Sequence, residues 1–290
     1  MMTVGQRPLW SFIGGETRAV KVDNSTIRKE PPYDVGFYKE LAQKIAELQF
    51  RNPSYVLLFR GQGTDYRDEK GSMLRPNIFR TPAQEQPGQH NERVSRRLKR
   101  LKAAEDFLVK HYRMEVDRLG NTFVTRYQIV RWSIIQHYEI CRTPLLDVSH
   151  SLRISTSFAV ANDDSDKAYL FVLAVPHISG AVTVCAEEGL QTVRLASVCP
   201  PSAIRPHLQE GYLLGEYPEI ENFDQKHHYR VAEVDFGKRL VAKFSFNPQT
   251  FWDSDFPRVP SSALYPAVDP LLGFAEQIKA HAQSLHPSRV

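Results

Sequence analysis

Residues 54–62 read SYVLLFRGQ, a short apolar run that ends in an arginine, a glycine and a glutamine. Apolar and aromatic residues bounded by turn signals are typical of a buried strand, so Ser54–Phe59 is predicted to be one. A segment rich in glycine and charge follows. The strand is therefore expected to present Arg60, Gly61 and Gln62 in the loop at its end.

Amphipathic helices are predicted on both sides of this strand. Helical spacing of apolar residues predicts a helix over Asp34–Phe50, with Asp34 as its cap. A second helix is predicted at Asn91–Glu115, a third at Thr125–Ile140 and a closing helix at Leu271–Leu285. The second of these carries arginines and lysines over most of its polar side.

The second half of the chain is rich in strand patterns. A short element is expected over Ser151–Ala161. The β-like runs are Ala168–Val175, Ala181–Cys185, Thr192–Val198, Arg230–Phe236 and Leu240–Phe246. Because helices cluster before the strands, the prediction is an α+β fold: N-terminal helices followed by a strand-rich half with a mixed or antiparallel sheet.

Composition restricts the classes of protein. The chain has 290 residues, 42% of them hydrophobic, and a formal charge of +4, so any strongly basic surface must be local. Three widely spaced cysteines favour neither a disulfide framework nor a zinc site, and they fit a reducing cytoplasm. No run of eighteen apolar residues occurs, so no membrane partner is expected, and the oligomeric state stays open.

Four sequence blocks, in a fixed order, carry a family resemblance. They are LLFRGQ at Leu57–Gln62, LRPNIFR at Leu74–Arg80, the segment Trp132–Ala159 with its Gln-His-Tyr and Leu-Leu-Asp motifs, and IRPHLQEGY at Ile204–Tyr212. Together they resemble the FRG family, named for a Phe-Arg-Gly motif. The chain departs from the family pattern at Glu139, where glycine usually follows Gln-His-Tyr, and its link to Leu-Leu-Asp is one residue longer.

The resemblance also suggests domain boundaries. We expect an N-terminal leader at 1–33, an FRG-like domain at 34–250 with a basic helical insertion near 91–118, and a C-terminal extension at 251–290 that contains the closing helix.

The family layout resembles a distant version of the ADP-ribosyltransferase fold, which would make NAD a substrate and require no metal. The resemblance implies a pocket with catalytic and ligand-binding residues that converge from distant parts of the chain. The implied catalytic residues are Arg60, His137 and Gln209. The implied ligand-binding residues are Gly61, Gln62, Tyr138, Asp147, Ser155, Thr156 and Ser157.

Each of the implied roles has a structural alternative. The planar guanidinium of Arg60 suits a phosphate or carboxylate, and Gly61 would let the ligand approach, but Arg60 could equally form a salt bridge with Asp147. A near-neutral pKa would allow His137 acid–base work, whereas a buried, hydrogen-bonded histidine is the alternative. Asp147 could cap a helix or orient Arg60 or His137.

Gln209 is the weakest part of the transferase hypothesis. Cleavage of the glycosidic bond of NAD develops positive charge, which a carboxylate stabilises better than a neutral amide. Glu210, Glu216 or Glu219 could replace it. For Ser155, Thr156 and Ser157, the alternative to ligand binding is hydrogen bonding to the backbone.

The basic helix suggests a second kind of partner. Arg96, Arg97 and Arg100 could contact nucleic-acid phosphates, although most charge runs are solvated helix faces. The sequence therefore leaves two hypotheses. One is an ADP-ribosyltransferase-like, NAD-consuming enzyme with an anion or nucleotide pocket around Arg60, and the other is a non-enzymatic module that binds a nucleotide or nucleic acid.

Overall fold

The computed structural model describes residues 4–81, 89–115, 121–161, 165–200, 203–219 and 235–285. They form an α+β fold, as predicted. The helices are α1 (Asn24–Lys29), α2 (Tyr38–Arg51), α3 (Gln89–Glu115), α4 (Asn121–Arg126), α5 (Gln128–His137), α6 (Leu152–Ala159), α7 (Leu195–Val198), α8 (Ile204–Leu208), α9 (Ser261–Leu264) and α10 (Pro270–Leu285). The strands are β1 (Leu9–Ser11), β2 (Val20–Val22), β3 (Tyr33–Asp34), β4 (Val56–Gln62), β5 (Arg67–Asp68), β6 (Gly71–Ser72), β7 (Leu146–Ser149), β8 (Ala168–Val175), β9 (Val182–Cys185), β10 (Leu190–Arg194), β11 (Gly211–Glu216) and β12 (Leu240–Phe246).

Two compact units alternate along the chain. Unit one consists of Met1–Leu74, Val148–Ser179 and Asp235–Tyr265. Unit two consists of Arg75–Asp147, Gly180–Val234 and Pro266–Val290. The predicted boundaries at residues 33 and 250 stay a prediction. The segment predicted to be a leader nevertheless supplies core residues to unit one, including Leu9, Phe12 and Ile27.

Unit one is built on a mixed sheet in which β8 is central. β4 and β12 pair with β8 in antiparallel fashion, and β3 pairs with β12 in parallel fashion. All residues of β12 and all but one of β8 are buried, because helices and loops cover both faces. The three FRG residues lie inside β4, which extends to Gln62, and not in a loop after it.

Helix α2 of unit one begins later than the sequence predicts. Asp34 lies in β3, and Phe37 precedes the first turn without a side-chain cap. The apolar face is the predicted one, with Leu41, Ile45 and Leu48 buried at helical spacing.

Unit two packs helices around an antiparallel β9–β10–β11 sheet. α3, α5 and α10 supply most of the buried apolar side chains of its core. The predicted third helix is divided into α4 and α5, because the Arg131 guanidinium donates to the carbonyls of Val124 and Thr125 at the end of α4.

Two predicted strands of the second half require correction. The run Thr192–Val198 divides into the end of β10 and the short helix α7. Most of Arg230–Phe236 falls outside the described residues, and Phe236 begins a 3-10 turn of unit one. No helix in the described part of the chain is both long and apolar enough to span a membrane.

Candidate functional site

The FRG residues of β4 point alternately to the two faces of the unit-one sheet. Side chains alternate along a strand, so Arg60 and Gln62 share one face and Gly61 belongs to the other. The pairing of β4 with β8 is regular through all three residues, so no bulge changes this assignment.

Strand register identifies the neighbours of Arg60 and Gln62. Arg60 is paired with Phe171 of β8, and Gln62 with Tyr169. Residues directly opposite each other in antiparallel strands share a face, and the Tyr169 and Phe171 rings stack at 6.5 Å between centroids. Arg60, Gln62 and Tyr169 are each partly exposed, and we call these three residues the Arg60 corner.

Gln62 has an unmet hydrogen-bonding capacity in this corner. Its Oε1 atom is buried, and nothing among the residues that the structure describes donates a hydrogen bond to it. A buried acceptor without a donor is unfavourable, so the corner is suited to a ligand that brings an N–H or O–H group.

The same sheet face carries a buried lysine that the sequence reasoning missed. Lys243 of β12 is paired with Phe171, and its Nζ donates to Arg28 O at 3.0 Å, Glu30 O at 2.5 Å and Ser72 Oγ at 2.8 Å. Burial lowers the pKa of Lys243 to about 8. A single charge within the apolar run LVAKFSF is the signal that could have identified this residue.

Gly61 serves the packing of α6. A Cβ atom at residue 61 would stand 2.8 Å from Ala159 N and closer still to Ser155 O, both backbone atoms of α6. The Ser155 hydroxyl also donates to Phe59 O at 3.2 Å, which fastens the helix to the strand. The approach of a ligand at Gly61 stays a prediction, and the space on its Cβ side is filled by protein.

The Ser155–Ser157 block lies against the face of β4 opposite Arg60. Its three side chains are buried, and each hydroxyl donates to a backbone carbonyl of unit one. Ser157 Oγ additionally accepts a hydrogen bond from Val259 N at 3.0 Å. The structure therefore gives these residues the backbone-bonding alternative, and ligand contact by Ser155, Thr156 and Ser157 lacks support from their surroundings.

In unit two, Gln136 organises Asp147. Gln136 Nε2 donates to Asp147 Oδ2 at 2.5 Å, while its Oε1 accepts from Thr143 Oγ1 at 2.6 Å. Asn77 Nδ2 also reaches Gln136 Oε1, at 3.4 Å. Asp147 is therefore held by the glutamine of the Gln-His-Tyr motif, which the sequence reasoning treated as a minor polar contact. The cap of the following helix α6 is Ser151, not Asp147.

His137 and Tyr138 end α5 in a buried setting. Burial, together with the charge of Arg205, lowers the pKa of His137 to about 3, so the imidazole is neutral at physiological pH. Its Nε2 makes no hydrogen bond within the described ranges. The expectation of a near-neutral pKa is wrong, and acid–base catalysis by His137 stays a prediction without that support. Burial also raises the pKa of Tyr138, whose hydroxyl donates to Asp269 Oδ2 at 3.0 Å.

Glu139 occupies a position that favours glycine. Its φ is 55°, in the left-handed region. Ile140 N donates to Ile135 O at 3.0 Å and Glu139 N to Gln136 O at 3.1 Å, the two hydrogen bonds of a Schellman motif. The departure from the family pattern at residue 139 is thus a change of residue type without a change of backbone conformation.

Gln209 follows α8 and is buried at its C-cap. Of the carboxylates that could replace it, Glu210 has a positive φ of 45°, Glu216 is buried at the end of β11, and Glu219 is partly exposed. Nearby on the chain, Arg205 N donates to Asp269 Oδ2 at 3.1 Å.

Asp269 is a second residue that the sequence reasoning missed. Its carboxylate accepts from Tyr138, Arg205 and, at 3.0 Å, Leu271 N in the first turn of α10. Aspartate followed by proline is a helix-start signal, so the pair Asp269-Pro270 could have identified it.

The site expected from the resemblance is distributed over both units. Arg60 belongs to unit one, whereas His137, Asp147 and Gln209 belong to unit two, so their convergence stays a prediction. A cleft of about 440 Å³ in unit one is lined mainly by α1 and the β5–β6 turn, with Arg28, Lys29, Glu69 and Lys70. It contains none of the residues that the sequence predicted for the site.

Comparison with models of protein families matches residues 56–168 to the FRG domain. The chain therefore carries an FRG domain in this segment, which includes the first three of the four sequence blocks. The fourth block, at Ile204–Tyr212, lies beyond the match. No curated protein and no solved structure matches the chain significantly.

Proposed function

We propose that unit one binds a nucleotide-like anion at the Arg60 corner. The observation that carries the proposal is the buried Gln62 Oε1, an acceptor without a donor in the described part of the chain, on the same sheet face as Arg60. Arg60 would hold a phosphate with its planar guanidinium, and Gln62 would accept from a hydroxyl or amino group. The partly exposed ring of Tyr169 offers a surface for a nucleobase.

The proposal is a binding function. The surroundings of Ser155–Ser157 and His137 do not favour the roles that a transferase would require of them. NAD-consuming chemistry is therefore a separate hypothesis, which the same experiment can measure.

The test is a titration of the full chain with ATP and NAD by calorimetry. Arg60→Lys keeps the charge and loses the two parallel hydrogen bonds, so we expect affinity to fall roughly five- to hundredfold, or about 1–3 kcal/mol. Arg18→Lys, at an exposed arginine of the same unit, is the matched control and should bind like the wild type. Thermal melts establish that both variants are folded.

A folded Arg60→Lys protein with wild-type affinity for both nucleotides would refute the proposal. Unfolding of this variant would instead favour a structural role of Arg60. Nicotinamide released during the NAD titration would add turnover to binding, and its rate in Arg60→Lys would show whether the corner takes part.

A further inference from the structure

The N-terminal half of α3 carries an arginine stripe in unit two. Arg93, Arg96, Arg97 and Arg100 are spaced three and four residues apart, which places them on one side of the helix over about 10 Å. Arg96 is exposed and the other three are partly exposed. The opposite side of α3 is buried in the core of unit two.

Arg97 fastens this stripe to another segment of unit two. Its Nη1 donates to Ile78 O at 2.7 Å and to Arg80 O at 2.9 Å. Ile78 N in turn donates to Thr143 O at 3.3 Å, which brings the exposed Arg142 beside the stripe. We call Arg93, Arg96, Arg97 and Arg142 the basic cluster.

The charges of the basic cluster act on one another. Burial, with the charges of Arg142, Arg93 and Arg96, lowers the pKa of Arg97 to about 10, so all four side chains remain cationic at physiological pH. Within the described ranges no carboxylate forms an ion pair with Arg96, Arg97 or Arg142. Grouping like charges is unfavourable in the isolated protein, and an anionic partner relieves it.

We propose that the basic cluster binds the phosphate backbone of a nucleic acid strand. The stripe is longer than a single phosphate and covers roughly three phosphates of one strand, at about 3.4 Å per phosphate along a helix axis. Arginine matches phosphate geometry with its planar fork. A membrane surface fits less well, because the apolar side of α3 is buried in the core and cannot enter a lipid interface.

The experiment measures fluorescence anisotropy of a labelled 20-nucleotide RNA, and of DNA of the same sequence, with the full chain at 50–200 mM salt. We expect the double variant Arg96→Gln, Arg142→Gln to bind at least tenfold more weakly at 100 mM salt. The slope of log affinity against log salt should fall by about 2, one for each lost contact. Arg97 is left unchanged because its hydrogen bonds hold Ile78 and Arg80.

The matched control is Lys110→Gln, Lys21→Gln, which removes the same charge from exposed sites outside the basic cluster. It should bind like the wild type. Equal weakening in both double variants, unchanged binding in the Arg96, Arg142 variant, or no binding to either strand at 50 mM salt would overturn the proposal. Binding to phosphatidylserine vesicles in place of nucleic acid, lost in the same variant, would assign the surface to a membrane and overturn it as well.

Discussion

At the scale of single residues, the glycine of the FRG motif is explained by packing. Gly61 is the residue of β4 over which the backbone of α6 passes, so even one methyl group meets atoms that cannot move independently. The arginine beside it points to the other sheet face. The motif thus joins a structural residue to a candidate binding residue, which is why Arg60 and Gly61 require different tests.

We predict that Gly61→Ala destabilises the protein by about 3 kcal/mol or more, because the added Cβ overlaps the backbone of α6. Chemical denaturation measures the change. The control is Gly273→Ala in α10, where a Cβ has open space and alanine is the better helix former, so it should stabilise by about 0.5–1 kcal/mol. A Gly61→Ala protein as stable as the wild type would contradict the close approach of α6.

The Schellman motif at the end of α5 leads to a prediction of the opposite sign. Glu139→Gly should stabilise the protein by up to about 1 kcal/mol, because glycine adopts the left-handed conformation without the strain of a side chain. The lost ion pair to Arg205, at 3.0 Å, offsets little because the Glu139 side chain is 70% exposed.

Glu139→Ala is the control for this effect, since it loses the ion pair and keeps the strain. Its melting temperature should therefore lie below that of Glu139→Gly. Equal melting temperatures for the two variants would mean that backbone strain at residue 139 is negligible.

At the scale of elements, Lys243 joins three of them in unit one. It lies on β12 and donates to the carbonyls at the end of α1 and to the hydroxyl of Ser72 in β6. Asp65 Oδ2 is 3.9 Å from the ammonium and accepts from Ser72 Oγ at 2.9 Å. Removing the ammonium leaves buried acceptors without a donor.

Lys243→Met should accordingly destabilise unit one by about 3 kcal/mol at pH 7. The difference from the wild type should grow above pH 8. Between the folded pKa of about 8 and the higher unfolded value, the unfolded wild type binds more protons, so its free energy of unfolding rises with pH, whereas methionine does not titrate. Denaturation curves at pH 7, 8.5 and 9.5 measure both effects, and a constant difference would contradict the lowered pKa.

The elements most easily predicted from sequence are those with a regular apolar pattern. β8 and β12 match their predicted ranges, and α3 and α10 lie within two residues of theirs, because a buried face imposes a period on the sequence. The division of α4 from α5 could not be predicted, because it depends on hydrogen bonds that Arg131 makes after the chain has folded back. Local propensity contains no information on such contacts.

At the scale of the whole molecule, the FRG domain was predictable from ordered motifs, while the site around it was only partly so. Arg60 and Gln62 are identified by the motif, but Tyr169 is placed beside them by strand register, over a hundred residues further along. Asp269 and Lys243 likewise gain their roles from contacts across long sequence separations. Such roles follow from topology, which one sequence without relatives does not reveal.

The pairing of β4 with β8 also bears on how this domain can be inherited. The segment that matches the FRG domain ends at residue 168, the first residue of β8, and β12 lies some seventy residues further on. A gene fragment limited to the match would encode β4 without the strand that forms its ladder. In this chain the motif is not a portable cassette, and recombination could transfer it intact only together with sequence far downstream.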